Sequence, residues 1–236
     1  MTDLIPALGP VPQLRLGRPL RTQLDNHLSL VVVARTAVPR VELRLLVPAG
    51  SALAPVPASG ELLRRTLLTG TAQRDSVTLT GDLHSIGGDL HVAQDEDVLV
   101  LQGSALAEYE AELYELVADV ALHAAFAPAE VAAERVRLIE GLRMARSTPH
   151  FPAGEALGAA VYGDHPYGWP TPTDRQVRRC GPAVLRELHH RRFRPGSAQL
   201  TVVGAVEPRR SAARVRRAFA AWSGRGGQGR APAVRQ

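Results

Sequence analysis

The sequence contains no lysine, and Cys180 is the single cysteine among its 236 residues. One cysteine can form neither an internal disulfide nor a cysteine-based zinc site, so disulfide-rich secreted scaffolds and zinc ribbons are excluded. Aromatic residues make up only 4% of the chain, which argues against a surface on which nucleic-acid bases stack. Cys180 is therefore expected to be a small, semi-buried apolar side chain.

No apolar run reaches the roughly 18 to 20 residues that a membrane-spanning helix requires. The longest candidate, at 28–34, is interrupted by Ser29, and Asp3 stands where a secretory signal would carry positive charge. We therefore expect a cytoplasmic protein without a membrane partner. The 45% hydrophobic content is enough for a core of ordinary size.

The basic residues are distributed unevenly along the chain. The formal charge is +5, and from position 175 onward fifteen arginines face only two acids, Glu187 and Glu207. Clustered arginine can bind phosphate groups, but here it is interleaved with alanine at helical spacing. We interpret this segment as a solvated helix face, with an acidic protein partner as the alternative and nucleic acid ranked last.

Hydrophobic periodicity predicts an α+β fold in which a mixed β-sheet packs against helices. Strands are predicted at 28–35 and 41–50 as a hairpin, at 77–83 and 90–103 around a Gly87-Gly88 turn, and at 199–204. Helices are predicted at 59–69 with Ser59 as cap, at 105–125, at 128–144, near 154–162, after Pro182, and in the arginine-rich segment ending at Trp222. Without regular strand–helix alternation, a doubly wound sheet is disfavoured.

The composition divides the chain into three parts. Residues 1–19 are predicted to form an N-terminal extension, and 20–222 the α+β domain. The last segment, 223–236, is rich in glycine and arginine and poor in apolar residues. Such a composition is typical of a flexible tail or linker.

Six short strings stand out along this domain. They are LDNHLSLVVV with GS at 50–51, LLTGT at 67–71, IGGDLHVAQDED at 86–97, FAPAEVAAERVRLIEGL at 126–142, GDHPYG at 163–168 and LTVVGAVEP at 200–208. In this order and spacing they resemble the insulinase/pitrilysin family of zinc peptidases, which includes the mitochondrial processing peptidase. The resemblance covers about residues 20–222, and it implies one structural half of a typical two-half member.

The chemistry of that family depends on the motif HxxEH on the helix before LLxGT. Its histidines bind zinc and its glutamate activates a zinc-bound water, with a further glutamate ligand from a later helix. The resemblance assigns these positions to Glu61, Arg64, Arg65 and Gly141. Because arginine stays protonated and has no lone pair to donate, we predict no catalytic residue, metal or cofactor in this chain. The nearby Glu134 and Glu140 are interpreted as helix-surface charges.

No other motif replaces the lost one. The segment 28–83 contains no histidine, so a shift of register does not restore HxxEH. His84 and His91 with Asp95 or Asp97 form the one alternative metal site that we weigh. Structural histidines are the preferred interpretation of this group.

The resemblance also implies two regions that contact peptide. A family edge strand, to which an extended peptide adds as a further strand, corresponds to Leu90, His91, Val92, Ala93 and Gln94. Its side chains differ from those usual in the family, and a plain sheet edge is the alternative. A loop that shapes the peptide chamber corresponds to His165, Pro166, Tyr167 and Gly168, with a proline-fixed turn as the alternative.

Family members enclose peptide between two bowl-shaped halves, one of which often lacks zinc. The resemblance therefore implies a non-catalytic, zinc-less subunit or half that is inactive alone. It would pair with an HxxEH-containing partner in a heterodimer, with zinc only in that partner and a peptide as substrate. The alternative is a structural or assembly subunit with no role in proteolysis, and unaided catalysis ranks below both.

Overall fold

Six strands and eight α-helices make up residues 17–224, the part of the chain that the computed structural model describes. The strands are β1 (Leu20–Gln23), β2 (Ser29–Ala34), β3 (Arg40–Val47), β4 (Asp89–Gln94), β5 (Leu99–Leu106) and β6 (Gln199–Gly204). The helices are α1 (Pro57–Thr66), α2 (Ser76–Ser85), α3 (Glu110–His123), α4 (Pro128–Arg146), α5 (His150–Tyr162), α6 (Asp174–Arg179), α7 (Pro182–Arg192) and α8 (Pro208–Ala218). The predicted extension and tail lie almost wholly outside these residues, so the domain boundaries remain predictions.

The strands form one mixed sheet in the order β1-β2-β6-β3-β5-β4. β2 and β6 run parallel, and the other neighbouring pairs are antiparallel. The predicted α+β class is therefore confirmed. The predicted hairpin of 28–35 with 41–50 is wrong, because β6 separates the two strands: Leu200 pairs with Leu30 on one side and Leu45 on the other. A local pattern cannot reveal a strand that arrives from the far end of the chain.

The helices pack against one face of this sheet. In β3, Val41, Leu43 and Leu45 are buried toward the helices, whereas the alternating Glu42 and Arg44 are exposed on the opposite face. α3 and α8 pack on each other and on β5 and β2, respectively. Each fully buried leucine or valine contributes about 2 kcal/mol through the removal of apolar surface from water.

Aliphatic side chains fill most of the core, as the low aromatic content predicts. Tyr114, Phe126 and Phe219 are the aromatic side chains within residues 17–224 that are fully buried. Cys180 is more deeply buried than the predicted semi-buried side chain, and burial raises the pKa of its thiol to about 11. It is therefore protonated and unreactive at neutral pH.

The segment predicted as a strand at 77–83 is the helix α2. Asp75 caps this helix, because its carboxylate accepts a hydrogen bond of 2.8 Å from the Thr78 N–H. Leu79 and Leu83 then lie one turn apart and are both buried. The cap and the four-residue spacing outweigh the β-branched residues, whose alternation suggested a strand.

Other element boundaries also differ from the sequence prediction. α1 begins at Pro57, and Ser59 lies inside the helix, where its hydroxyl donates to the Val56 carbonyl at 2.7 Å. α3 begins at Glu110, because β5 continues to Leu106. The predicted strand 90–103 is two strands, and β1 and α6 were not predicted. None of the helices within 17–224 has both the length and the apolar character needed to cross a membrane.

A buried aspartate joins the LLTGT segment to α3. Asp119 accepts hydrogen bonds from the Thr71 hydroxyl at 2.8 Å and the Arg74 guanidinium at 2.7 Å. Its other oxygen lies 3.0 Å from Nδ1 of His123. The Asp119 side chain is only 7% exposed, so these partners compensate for the desolvation of its charge.

We predict that Asp119→Ala lowers the free energy of unfolding by about 3 kcal/mol, because it leaves the charge of Arg74 and the hydroxyl of Thr71 with fewer partners. Urea denaturation monitored by circular dichroism measures this loss. Asp25→Ala is the control, since the Asp25 side chain is 93% exposed. Equal stabilities of the two variants would contradict a structural role for Asp119.

A second polar contact, which is partly buried, involves a histidine on α7. The Nε2 atom of His189 lies 3.0 Å from the carbonyl oxygen of Ala121, and its ring stacks on Phe193 with centroids 4.2 Å apart. Burial lowers the pKa of His189 to about 4. His189 is therefore neutral in the folded protein at neutral pH.

Because an unfolded histidine takes up a proton below about pH 6.5, the free energy of unfolding should fall as the pH drops from 6.5 toward 4. His189→Gln keeps an amide that can bond Ala121, and it should remove about 2 to 3 kcal/mol of that acid sensitivity. Denaturant titrations from pH 4 to 7 measure the effect. His84→Gln, at an exposed position, is the control, and identical pH profiles in both variants would refute this assignment.

Candidate functional site

A cavity of about 460 Å³ lies where α1, α4 and the end of β4 meet. Its lining residues are Ser51, Pro57, Glu61, Arg65, Gln94, Asp95, Glu96, Leu138, Gly141, Leu142, Thr171 and Pro172. Three of the four positions that the resemblance assigns to the metal site, Glu61, Arg65 and Gly141, thus face one space. They are joined there by Gln94, the last residue of the predicted peptide-binding edge.

Ion pairs occupy the motif positions on α1. The Glu61 carboxylate accepts two hydrogen bonds from Arg64, at 2.9 and 2.6 Å, and one from Nε of Arg65, at 2.6 Å. Burial alone would raise the pKa of Glu61, but the hydrogen bonds and charges of Arg64 and then Arg65 outweigh it and hold this pKa below its ordinary value. Glu61 is therefore ionised, and its lone pairs are engaged by guanidinium groups.

The same cluster reaches across to α4 through Glu134. Nη1 of Arg65 lies 3.8 Å from Oε2 of Glu134, and Arg137 donates to the other oxygen of that carboxylate. Glu134 is buried, with its side chain 11% exposed, so its interpretation as a surface charge is wrong. Arg137 and, at the longer distance, Arg65 supply the positive charge that a buried carboxylate requires. Glu140 is exposed, as expected.

These residues do not fit a zinc ion. Zinc requires neutral imidazole, thiolate or carboxylate donors, whereas Arg64 and Arg65 present only protonated nitrogens. The Glu61 carboxylate already accepts three hydrogen bonds from them, and Gly141 has no side chain. A Cβ atom built at Gly141 would meet nothing within 4 Å, so the fourth position is open space.

The alternative histidine site does not form either. Nε2 of His91 lies 2.8 Å from the Gln102 amide oxygen on β5, and the Asp95 carboxylate accepts the N–H groups of Asp97 and Val98 at the turn after β4. Within the described part of the chain, no three His, Cys, Asp or Glu side chains are grouped so that they could hold a metal ion.

The predicted peptide-binding strand lies at an open edge of the sheet. β4 is the terminal strand and pairs only with β5 among the described strands. Leu90 is buried, His91 and Ala93 point to the exposed face, and the Gln94 amide donates to the Ala49 carbonyl at 2.8 Å. An open edge offers unpaired main-chain groups, so the arrangement is compatible with the addition of a peptide strand.

The loop at 163–168 contacts the turn that follows this edge strand. The Tyr167 hydroxyl donates to the Asp97 carboxylate at 2.7 Å, and the rings of His165 and Tyr167 meet edge to face with centroids 4.5 Å apart. Pro166 begins a single 3₁₀ turn that ends at Gly168. The two regions for which the sequence predicts peptide contact, this loop and β4, therefore lie on either side of the turn at Asp97.

Sequence reasoning missed two features near the cavity. The first is the partnership of Glu134 with Arg65, which depends on the packing of α1 against α4. The second is the exposure of α5, none of whose residues is buried. Leu157 and Val161 are 65% and 58% exposed, and Trp169 beyond the helix is 44% exposed. The apolar composition of α5 on several faces could have indicated an unpartnered surface.

The sequence model of the family described as insulinase (peptidase family M16) matches residues 30–174, which are more than half of the chain. The chain belongs to this family. An uncharacterized zinc protease of Mycobacterium leprae is 29% identical over 216 residues, which cover 90% of this chain and 48% of that protein. Another, of Bacillus subtilis, is 21% identical over 189 residues, or 79% of this chain and 46% of that protein. The chain thus spans about half the length of the curated relatives it matches.

Solved structures of the insulinase family share the fold. The peptidase M16 inactive domain of Pseudomonas fluorescens superposes with a TM-score of 0.83 at 20% identity, over 93% of this chain and 53% of that one. The first half of the periplasmic protease PqqL of Escherichia coli gives 0.80 at 18% identity, over 92% and 49%. At these identities the likeness concerns the fold, and it agrees with the expected single half.

The Tyr167–Asp97 contact yields a further prediction. The hydrogen bond to Asp97 raises the pKa of Tyr167 to about 12, with smaller contributions from the neighbouring acids. Asp97→Asn should return this pKa toward 10, the ordinary value for tyrosine. Phenolate absorbance between pH 9 and 12 measures the change. Asp89→Asn, on the exposed face of β4, is the control and should leave the titration unaltered.

Proposed function

We propose that this chain is a non-catalytic half or subunit of an insulinase-type metallopeptidase. It pairs with a family member that carries an intact HxxEH motif, and the two enclose a peptide-processing chamber. The observation that carries the proposal is the Glu61–Arg64–Arg65 cluster at the motif positions of a family domain. Arg64 and Arg65 have no lone pair to offer zinc or a proton, and the Glu61 carboxylate is already hydrogen-bonded to both of them.

The surroundings of the cluster support a peptide-handling role. The cavity has apolar walls at Pro57, Leu138 and Leu142, and it adjoins Gln94 at the end of β4. A peptide that adds as a further strand beside β4 would place side chains alongside this cavity, since alternate residues of a strand point to each face. Main-chain pairing is independent of the β4 side chains, so their departure from the family pattern does not prevent it.

The exposed apolar surface of α5 supports pairing with another polypeptide. Leu157 and Val161 lie one turn apart on this helix, and Tyr162 and Trp169 are also exposed, at 37% and 44%. Exposed apolar groups of this kind are typical of surfaces that another domain covers. We place the pair in the cytoplasm, which cell fractionation tests.

The second candidate is a structural or assembly subunit with no role in proteolysis. It is favoured by the same lack of hydrolytic groups, because a domain that only fills a place in a complex needs no reactive residue. It differs in its consequence, since it forms a permanent complex without changing peptide turnover.

Co-expression with an HxxEH-containing family member from the same genome, followed by purification and peptide-cleavage assays, tests the proposal. We expect a stable complex whose kcat/KM exceeds that of the partner alone by about tenfold, because the added half positions the peptide. This chain alone should not cleave. Leu157→Glu should weaken the complex, whereas Val77→Glu, at a 78% exposed position on α2, should leave it intact.

Each outcome favours one candidate. A complex that cleaves no faster than the partner alone supports the structural role. Cleavage by this chain alone that is lost with a chelator would refute the non-catalytic assignment. If Leu157→Glu and Val77→Glu pair equally well, α5 is not the contact surface, although the pairing itself stands.

A further inference from the structure

We infer that the backbone around the 460 Å³ cavity still frames a divalent-metal site, in which the Arg65 guanidinium has taken the place of the metal ion as the cation between α1 and α4. The residues at this site do not fit the zinc chemistry of the family, and the Arg65 guanidinium supplies the positive charge that a metal ion would otherwise bring. This role of Arg65 does not depend on the proposed partner or on peptide binding.

The Arg65 guanidinium lies between two carboxylates that come from different helices. Glu61 on α1 and the buried Glu134 on α4 both approach Arg65, at 2.6 and 3.8 Å. A buried carboxylate without a nearby positive charge is strongly destabilising. Arg65 contacts both carboxylates at once, whereas Arg64 binds Glu61 and Arg137 binds Glu134. Arg65 is therefore the member of the cluster that joins the two helices.

The geometry of the backbone has room for a metal ion and its ligands. Positions 61 and 65 are one turn apart, and their side chains meet on one face of α1. Gly141 faces the same cavity from α4, and a side chain there would meet nothing within 4 Å at its Cβ. Histidines at 61 and 65 and a carboxylate at 141 would thus enter one space, in which three ligands and a water suffice for zinc.

The first test rebuilds the site. Glu61→His/Arg64→Glu/Arg65→His/Gly141→Glu should retain about one zinc per chain after removal of free metal, and zinc should raise its Tm. The matched control, Glu61→His/Arg64→Glu/Arg65→His, keeps Gly141 and should bind zinc about tenfold or more weakly, because it lacks the ligand from α4. Cobalt substitution should give the visible spectrum of tetrahedral coordination in the first variant. The unaltered chain should retain no zinc, and its Tm should not respond to zinc or to EDTA.

The second test measures the Arg65–Glu134 interaction between α1 and α4 in the natural chain, and it is independent of the rebuilt variants. A double-mutant cycle of Arg65→Met and Glu134→Gln should give a coupling of about fivefold in the unfolding equilibrium constant. The matched exposed pair, Arg191 with Glu187, has side chains 66% and 58% exposed and should give about twofold or less.

Three results would overturn the inference. One zinc retained by the unaltered chain would show that another donor set binds metal. Equal zinc affinity with and without Gly141→Glu would show that position 141 does not face the two histidines. A cycle on Arg65 and Glu134 with no more coupling than the exposed pair would show that Arg65 does not join the helices, and this holds even where the rebuilt variants fail to fold.

Discussion

An arginine keeps its proton at every pH that the folded protein experiences, and two arginines stand beside Glu61 on the helix where the insulinase family has its metal ligands. The cavity around them is shaped by this permanent positive charge. The two arginines keep Glu61 ionised, and Arg65 lies 3.8 Å from the buried Glu134 of α4. On the proposed assignment, the cavity would contact a peptide through shape and hydrogen bonds, while its arginines offer no lone pair to a metal ion.

The sequence predicted the fold class and the location of the site far better than it predicted which strands pair and which side chains meet between helices. Six strings in register are enough to place Glu61, Arg65 and Gly141 at equivalent positions, and the structure brings these three to one cavity. The burial of Glu134 was not predictable in the same way. It depends on the distance between α1 and α4 and on the direction of the Arg65 side chain, neither of which leaves a mark on hydrophobic periodicity.

The errors in secondary structure share a physical cause. At 76–85, Val77 and Thr78 favour a strand locally, but the Asp75 cap and the burial of Leu79 against the core stabilise a helix. The supposed hairpin failed because Leu200 arrives between Leu30 and Leu45 from about 155 residues or more away in sequence. Local propensity and turn residues contain no information about such long-range contacts.

Two exposed surfaces, the edge of β4 and the apolar side chains of α5, accompany the ion-paired cavity. β4 offers main-chain groups at an uncovered edge, and α5 exposes apolar side chains that few of the described neighbours contact. A domain that only bound peptide would not need the second surface, and one that only filled a place in an assembly would not need the first. The two occur together on a fold whose HxxEH positions carry Glu61, Arg64 and Arg65. On the proposed assignment, a partner that covers α5 would bring its own zinc to a peptide held along β4, and the division of labour would follow from the chemistry of Arg64 and Arg65.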